Sequence, residues 1–139
     1  MLGSILAGKK PLVYVTRETH IDAVAALLHQ HRIGAVLVLD GDAIAGLVSE
    51  RDICAGLHTH GAAILDATAA EIMSSPVVTA PPATTVAEAM TIMTDRRFRH
   101  LPVVDSGRIL GLVSIGDLVK RRIEQAEAEA AAMKDYISS

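Results

Sequence analysis

Aromatic residues are almost absent from this sequence. Only Tyr14, Phe98 and Tyr136 occur, and there is no tryptophan. Proteins that bind single-stranded nucleic acid stack bases on aromatic side chains, so this composition argues against that class. Thirteen basic residues are outnumbered by sixteen acidic ones, which gives a formal net charge of -3. The chain therefore lacks the overall positive charge that holds a phosphate backbone, and we expect no nucleic-acid partner.

Cysteine is also scarce, because Cys54 is the only one in the chain. A single thiol cannot form an intramolecular disulfide or a multi-cysteine metal site, so we expect a reducing compartment. No paired histidine motif accompanies Cys54, which favours a small buried thiol over a nucleophile. The six histidines show no H-x-x-x-H spacing, so no metal site is predicted.

Long hydrophobic runs are missing as well. The longest apolar stretches, Ala35–Leu39 and Ala43–Val48, are far too short to span a bilayer. The first apolar residues precede Lys9 and Lys10, which is the reverse of the order in a signal peptide. We therefore expect a cytoplasmic protein without a membrane partner. The sequence has no G-x-S-x-G, Walker or G-x-G-x-x-G motif, so no catalytic function is predicted.

What the sequence does contain is an internal repeat. Segment 19–53 aligns with segment 84–118 without gaps at an offset of 65, and ten of the 35 pairs are identical. Chance would give roughly three identities in a chain of this composition. A single copy of about 60 residues would be marginally stable, so the two copies are expected to share a core. We expect the first repeat at 4–66, the second at 67–125 and a C-terminal helical extension at 126–139.

Each copy of the repeat predicts the same order of elements, β-α-β-β-α. The first helices are expected to begin at capping boxes, Thr19 with Asp22 and Thr85 with Glu88. Two β runs joined by a hairpin turn follow, and a second helix begins after them. The fold class is therefore mixed α/β (α+β). The predicted strands are Leu12–Thr16, Ala35–Leu39 and Ile44–Val48 in the first copy, and Val77–Thr79, Leu101–Val104 and Ile109–Val113 in the second.

The strongest motif is a duplicated Gly-Leu-Val-Ser-x-x-Asp, which ends in Ser49 and Asp52 in the first copy and in Ser114 and Asp117 in the second. Its glycines lie inside predicted strands, where glycine often marks the close approach of a backbone or a ligand. Ser-x-x-Asp has two interpretations. It is a capping box in which the serine and the aspartate close the start of a helix. It also suits a ligand, because a helix N-terminus attracts phosphate and a carboxylate accepts ribose hydroxyls. The two roles are compatible.

These features together resemble the cystathionine-β-synthase (CBS) domain, and the tandem copy resembles the CBS pair known as a Bateman module. The resemblance covers about residues 4–125 and leaves no catalytic domain over, as in the stand-alone CBS-pair proteins often described as signal-transduction proteins. It implies two repeats related by pseudo-two-fold symmetry. It also implies an adenosyl ligand such as AMP, ADP, ATP, NAD or S-adenosylmethionine, bound as a regulator in clefts between repeats and not as a catalytic cofactor.

The resemblance also implies roles for individual residues. Asp52 and Asp117 would hold the ribose, and Ser49 and Ser114 would approach the phosphate. Cationic partners for the phosphates are expected from Arg51, Arg99 and His100, since arginine offers a bidentate fork. The residues expected to line or flank the base are Ala35, Val36, Leu101, Pro102, Thr16 and Thr79. Because Arg51 corresponds to Gly116, and Arg99 to Gly34, the two sites are expected to differ in affinity.

The last segment carries an apolar stripe with the 4-3-4-3-4 spacing of a coiled-coil seam. Its members are Val119, Ile123, Ala126, Ala130, Met133 and Ile137. The stripe would either dock on the chain's own domain or form a subunit contact in a homodimer, and family resemblance favours the second. Three functions therefore stay open: a nucleotide sensor acting on an unknown protein target, a ligand-free dimerisation or interaction module, and, least supported, an enzyme.

Overall fold

The chain forms two compact units in the computed structural model, which describes residues 1–138. One unit is Pro11–Val78, and the other combines Met1–Lys10 with the chain from Thr79 onward. This division differs from the expected boundaries at 4–66 and 67–125. The first ten residues belong with the second repeat, and residues 67–78 belong with the first. Backbone hydrogen bonds fix the first ten residues there, such as Leu2 N–H to the Thr84 carbonyl at 2.9 Å.

The unit Pro11–Val78 is built on a three-stranded sheet. Its elements are β1 (Tyr14–Thr16), α2 (Ile21–His31), β2 (Ala35–Asp40), β3 (Ala43–Ser49), α3 (Glu50–His60), a 3-10 helix (Gly61–Asp66) and α4 (Ala69–Ile72). Strand β1 runs parallel to β2, and β2 pairs with β3 in an antiparallel hairpin. Helix α2 buries Ile21, Val24 and Leu28 against the sheet's apolar residues, as its helical spacing predicts.

The other unit contains a two-stranded sheet. Its elements are α1 (Leu2–Leu6), α5 (Val86–Arg96), β4 (His100–Asp105), β5 (Arg108–Ser114) and α6 (Ile115–Ser138). The predicted strand Val77–Thr79 is wrong, because this region contributes only one parallel bridge, between Ala80 and Val103. Pro81 and Pro82 follow the bridge directly, and a residue without an N–H cannot extend a ladder.

The offset of 65 holds in the structure. Adding it to the bounds of α2, β2 and β3 gives the bounds of α5, β4 and β5. Both hairpins shift register at the equivalent place, Val38/Leu39 and Val103/Val104. The residues that end the first helices, Arg32 and Arg97, both adopt left-handed backbone angles. The predicted duplication is thus confirmed element by element from α2 to the start of α6.

One of the two predicted helix caps is confirmed. Thr85 accepts a hydrogen bond from the Glu88 N–H at 3.1 Å in a full capping box. The prediction for Thr19 is wrong, because α2 begins after His20, which makes no side-chain cap. Thr19 instead accepts a hydrogen bond from the Thr16 N–H at 3.2 Å. The repeat offset explains why only one cap forms. It pairs the capping residue Thr85 with His20, and Thr19 therefore stands one residue before the cap position.

The last element, α6, is one helix of 24 residues that includes the predicted extension, apart from Ser139, which lies outside the described residues. The apolar stripe on its surface is exposed to solvent. Val119, Ile123, Met133 and Ile137 are 41–76% exposed. The interpretation in which the stripe docks on the chain's own domain is therefore wrong. Among residues 1–138, no helix is long and apolar enough to cross a membrane.

Candidate functional site

The first Ser-x-x-Asp motif forms a capping box at the junction of β3 and α3. The Ser49 N–H donates to Asp52 Oδ2 at 2.8 Å, and the Asp52 N–H donates to Ser49 Oγ at 3.2 Å. The other carboxylate oxygen, Asp52 Oδ1, accepts from the Ser74 hydroxyl at 2.9 Å. Both oxygens of this carboxylate are thus held by neutral donors.

The second motif repeats this geometry where β5 meets α6. The Ser114 N–H donates to Asp117 Oδ2 at 2.8 Å, and the Asp117 N–H donates to Ser114 Oγ at 3.1 Å. Here a cation joins the carboxylate, because Lys9 Nζ lies 2.6 Å from Asp117 Oδ2. The same ammonium donates to the Leu112 carbonyl at 2.9 Å. The capping interpretation is therefore correct for both motifs.

The Asp117 carboxyl is half-buried, and its surroundings perturb its pKa. Burial alone would raise the pKa, but hydrogen bonds from Lys9 and from the Ser114 backbone N–H, together with the Lys9 charge, lower it below its ordinary value of 3.8. Hydrogen bonds and positive charges that favour the ionised form have this effect. The second motif therefore presents a carboxylate that stays ionised at neutral pH.

The hairpins bring the predicted base-lining residues beside these motifs. Ala35 lies opposite Ser49 in the β2–β3 ladder, and His100 lies opposite Ser114 in the β4–β5 ladder. The next residues along β2 and β4 are closed off from solvent: Val36, Leu101 and Pro102 are buried. In both repeats, a strand with buried apolar residues near its start therefore lies beside the serine and aspartate at the start of a helix. The second repeat also has the half-buried His100 at this place.

The remaining predicted site residues do not all lie close to the two motifs. Arg51 and Arg99 are exposed and flank Asp52 and His100 along the chain. Thr79 precedes Ala80, whose N–H donates to the Pro102 carbonyl at 3.0 Å, so it lies near the predicted base-lining residues of its own unit. Thr16 is different, because it pairs with Leu39, four residues along β2 from Ala35. Within its own unit, Thr16 is therefore remote from the first motif.

The glycine in each motif is explained by a crossing segment of the chain. A Cβ at Gly46 would lie 2.5 Å from Met73 Sδ and 2.9 Å from the Ser74 carbonyl oxygen. At Gly111, a Cβ would lie 2.7 Å from Leu6 Cδ2. The expected close approach exists at both glycines, and it is made by residues of the chain itself.

Sequence reasoning missed Lys9 and Ser74, the two residues that reach the motif carboxylates from outside. They are separated by 65 residues, the offset of the repeat. The ungapped comparison began at residue 19 and so stopped short of them. Extending the offset toward the N-terminus would have paired Lys9 with Ser74.

Two expectations about other side chains can be compared with the structure. Cys54 is exposed, so the expectation of a buried thiol is wrong. In α3 the buried positions are Ile53 and Gly56, and Cys54 lies between them on the outer side. Among residues 1–138, no three histidine, cysteine or acidic side chains are grouped so that they could hold a metal ion.

Comparisons with a family model and with known proteins identify the same family. The CBS domain family model matches the chain twice, over residues 3–59 and 69–124. The Arabidopsis thaliana protein "CBS domain-containing protein CBSX3, mitochondrial" is 34% identical over 127 residues, which cover 88% of this chain and 61% of that protein. The chain therefore spans about three fifths of that relative's length.

Solved structures agree with the fold. A CBS-domain-containing protein from Agrobacterium tumefaciens is 38% identical with a TM-score of 0.83, over 87% of this chain and 98% of that one. A CBS domain protein from Pyrobaculum aerophilum, solved in complex with AMP, is 29% identical with a TM-score of 0.74, over 84% and 88%. Because both repeats match one family and the fold agrees with solved members, the chain belongs to the CBS-domain family as a tandem pair.

Proposed function

We propose that this CBS pair is a non-catalytic regulatory module that binds an adenosyl nucleotide and transmits the bound state to a protein partner. The AMP complex of the Pyrobaculum aerophilum relative supports the ligand class. Ligands of this class share the adenosine part, so AMP, ADP, ATP, NAD and S-adenosylmethionine are all candidates. A cytoplasmic location remains a prediction.

The geometry of Asp117 carries this proposal. The cap and the lysine both use Oδ2 of the Asp117 carboxylate. A carboxylate oxygen accepts hydrogen bonds from hydroxyl groups. The capping role therefore leaves one oxygen of an ionised carboxylate for the hydroxyls of a ribose. Asp52 would serve the first repeat after its Oδ1 exchanges the Ser74 hydroxyl for a ribose hydroxyl.

Residues around the two carboxylates would hold the rest of the nucleotide. The buried strand starts would contact the base, and Thr79 lies beside them. Ser114 and Ser49 stand at helix N-termini, where a positive dipole end favours phosphate. The exposed guanidiniums of Arg51 and Arg99 would add charge-assisted hydrogen bonds to the phosphates. These assignments, with Ala35, Val36, Leu101, Pro102, His100 and Thr16, remain part of the proposal.

Thermal unfolding with a ligand panel tests the proposal. A ligand at a hundred times its Kd should add about 2.7 kcal/mol of stability. We expect the unfolding midpoint to rise with AMP or another adenosine ligand and to stay unchanged with GMP. If no adenosyl ligand moves the midpoint, the sensor function is wrong and both motifs serve as caps alone.

A matched pair of variants tests the role of the carboxylate. Asp117→Asn keeps an oxygen that can accept the Ser114 N–H, so the helix cap is retained, and unliganded stability should fall only by the loss of the ion pair with Lys9. Loss of a hydrogen bond to a charged group should weaken ligand binding at this site by at least about tenfold. The control is Asp135→Asn, an exposed carboxylate on α6, which should leave binding unchanged. Lower stability with unchanged affinity would leave Asp117 only its capping role.

Transmission of a signal requires two states with different ligand affinities, because a ligand that binds both states equally shifts nothing. An enzyme would instead change its ligand. Long incubation with the bound nucleotide, followed by chromatography, separates the two functions. We expect the nucleotide to be recovered intact, and turnover would contradict the non-catalytic assignment.

The open stripe on α6 favours a second, compatible function, which is homodimerisation. We propose that a second copy of this chain covers the stripe. The seam spacing suits a helix pair, and its alanines permit close approach. The same helix carries a basic block, Lys120–Arg122, followed by the acidic Glu124, Glu127 and Glu129. An antiparallel pair centred near Glu124 can therefore set the basic block of one copy against the acidic residues of the other.

Sedimentation analysis tests the homodimer. The wild-type chain should have twice the monomer mass, and Met133→Glu should shift it toward monomer by placing a charge in the seam. Ala128→Glu is the control, because it adds the same charge on the opposite side of the helix. A monomeric wild-type chain, or equal effects of the two variants, would contradict this assignment.

A further inference from the structure

Lys9 and Ser74 occupy equivalent positions in the two repeats and carry different chemistry. Each lies beside the middle of a motif: Ser74 exchanges two backbone hydrogen bonds with Leu47, and Lys9 donates to the carbonyl of Leu112. Leu47 and Leu112 are themselves 65 residues apart. Each side chain then reaches the aspartate of its repeat. The first aspartate therefore has a neutral neighbour, and the second has a cation.

The cation at the second repeat compensates for a difference in the motif itself. The first motif has Arg51 next to its aspartate, whereas the second has Gly116 at that position. Helix α6 therefore has no cation at the position that corresponds to Arg51. Lys9, which lies 108 residues away in sequence, supplies that charge from the N-terminal segment.

The Lys9 ammonium also has the reach and the donors to serve a ligand. Two of its contacts are Asp117 Oδ2 and the Leu112 carbonyl, and an ammonium has three donors on a flexible four-carbon stem. A ribose that donates to Asp117 brings hydrogen bonds but no negative charge. A ligand phosphate brings the anion that keeps Lys9 compensated. Neutral adenosine brings none, and the sulfonium of S-adenosylmethionine adds a like charge.

We propose that Lys9 is a specificity-determining residue that makes the Ser114–Asp117 site prefer adenosine ligands carrying a phosphate over neutral or cationic ones. This inference rests on the proposed nucleotide-binding function and narrows its ligand class at one repeat. Lys9 acts in two ways: it contacts Asp117 Oδ2 beside the oxygen that the ribose would use, and it binds the phosphate of anionic ligands.

Calorimetric titration with AMP and with adenosine tests this assignment. The titrations use an Asp52→Asn background, which weakens the first repeat and leaves the second to dominate. Lys9→Met should lower AMP affinity about tenfold, the loss expected for a charge-assisted contact, while adenosine affinity stays equal or rises. Lys10→Met is the matched control, since it removes the same charge from an exposed neighbour, and it should leave the AMP-to-adenosine ratio unchanged.

The results separate this inference from the proposed function. If the wild-type chain binds AMP but Lys9→Met changes AMP and adenosine affinity by the same factor, the selectivity is refuted and the nucleotide function stands. If Lys10→Met lowers the ratio as much as Lys9→Met, a general charge effect replaces the specific contact. If the wild-type chain binds neither ligand, both conclusions are overturned. Lys9→Ser, which copies Ser74, replaces the methionine variant should that variant unfold.

Discussion

Alanine at the two motif glycines should have unequal effects, although the motifs are nearly identical in sequence. At Gly46 the new Cβ would meet Met73 Sδ at 2.5 Å, Met73 Cγ at 2.8 Å and the Ser74 carbonyl oxygen at 2.9 Å. The carbonyl belongs to the backbone and also accepts from the Leu47 N–H at 3.1 Å. The clash can therefore be relieved only if the backbone at Ser74, which is hydrogen-bonded to Leu47, moves.

At Gly111 the nearest atom is the end of a flexible side chain. The new Cβ would meet Leu6 Cδ2 at 2.7 Å, and the next atoms of Leu6 lie at 3.4 and 3.5 Å. Leu6 is only half-buried, so it has room to turn away. The contact does not involve a backbone atom, and the neighbouring hydrogen bonds remain intact.

The expected magnitudes follow from these contacts. Overpacking at Gly46 should cost about 1–3 kcal/mol, with about 1 kcal/mol more for a strained backbone hydrogen bond. Both substitutions regain roughly 0.5–1 kcal/mol because alanine is less flexible than glycine in the unfolded chain. Gly46→Ala should therefore destabilise the protein by about 2 kcal/mol relative to Gly111→Ala, which corresponds to roughly 7 °C in midpoint for a chain of this size.

Thermal unfolding followed by circular dichroism measures this difference directly. Met73→Ala combined with Gly46→Ala is the internal check, because it removes the side chain but leaves the Ser74 carbonyl in place. Only part of the stability should return. Equal midpoints for the two single variants, or a lower midpoint for Gly111→Ala, would refute the reasoning from crossing segments.

Three further expectations concern caps, pH and the N-terminal segment. Thr85→Ala should lower the free energy of unfolding by about 1 kcal/mol, whereas His20→Ala, which removes no capping bond, should change it little; urea titration compares them. The pKa of Asp117 is lowered in the folded state, so its stabilisation is present above its ordinary value of 3.8 and is lost as pH falls through the folded-state pKa. The stability gap between wild type and Lys9→Met should accordingly be largest near neutral pH and close in strong acid; a gap that is constant with pH would contradict the ion pair. Arg121→Ala removes a 2.8 Å hydrogen bond to Ser4 Oγ, and amide exchange in α1 should speed up about fivefold with no change at α2.

Local patterns in the sequence were sufficient for most of the fold. The repeat offset, the apolar spacing and the hairpin turns predicted β2 to α3 and their second copies, because these signals act between residues close in the chain. The cap at α2 was wrong by one residue, since Thr19 and His20 are neighbours and helix starts are the least certain positions. The second copy's first strand was wrong, because this region forms only the single bridge at Ala80 and Pro81 prevents its extension.

The arrangement around the carboxylates was only half predictable. Ser49 and Ser114 bond to aspartates three residues away, which a pattern reveals. Ser74 and Lys9 reach those aspartates across 22 and 108 residues, and no periodicity links such positions. Cys54 was expected to be buried because of its residue type, but its position on α3 determines its exposure. Family resemblance therefore indicated the candidate site residues. The residues that contact them from distant parts of the chain, Ser74 and Lys9, could be found only in the structure.

The assignment of Met1–Lys10 to the second unit has a consequence for the order of events during synthesis. Pro11–Val78 is a continuous stretch, so all of its contacts are available as soon as it leaves the ribosome. The other unit is discontinuous: residues 1–10 emerge before Pro11–Val78, and their partners, from Pro82 to α6, emerge after it. Closing so long a loop slows assembly. The N-terminal segment must therefore wait until Pro11–Val78 and part of the second unit have been made, and a nascent chain becomes competent at Asp117 later than at Asp52.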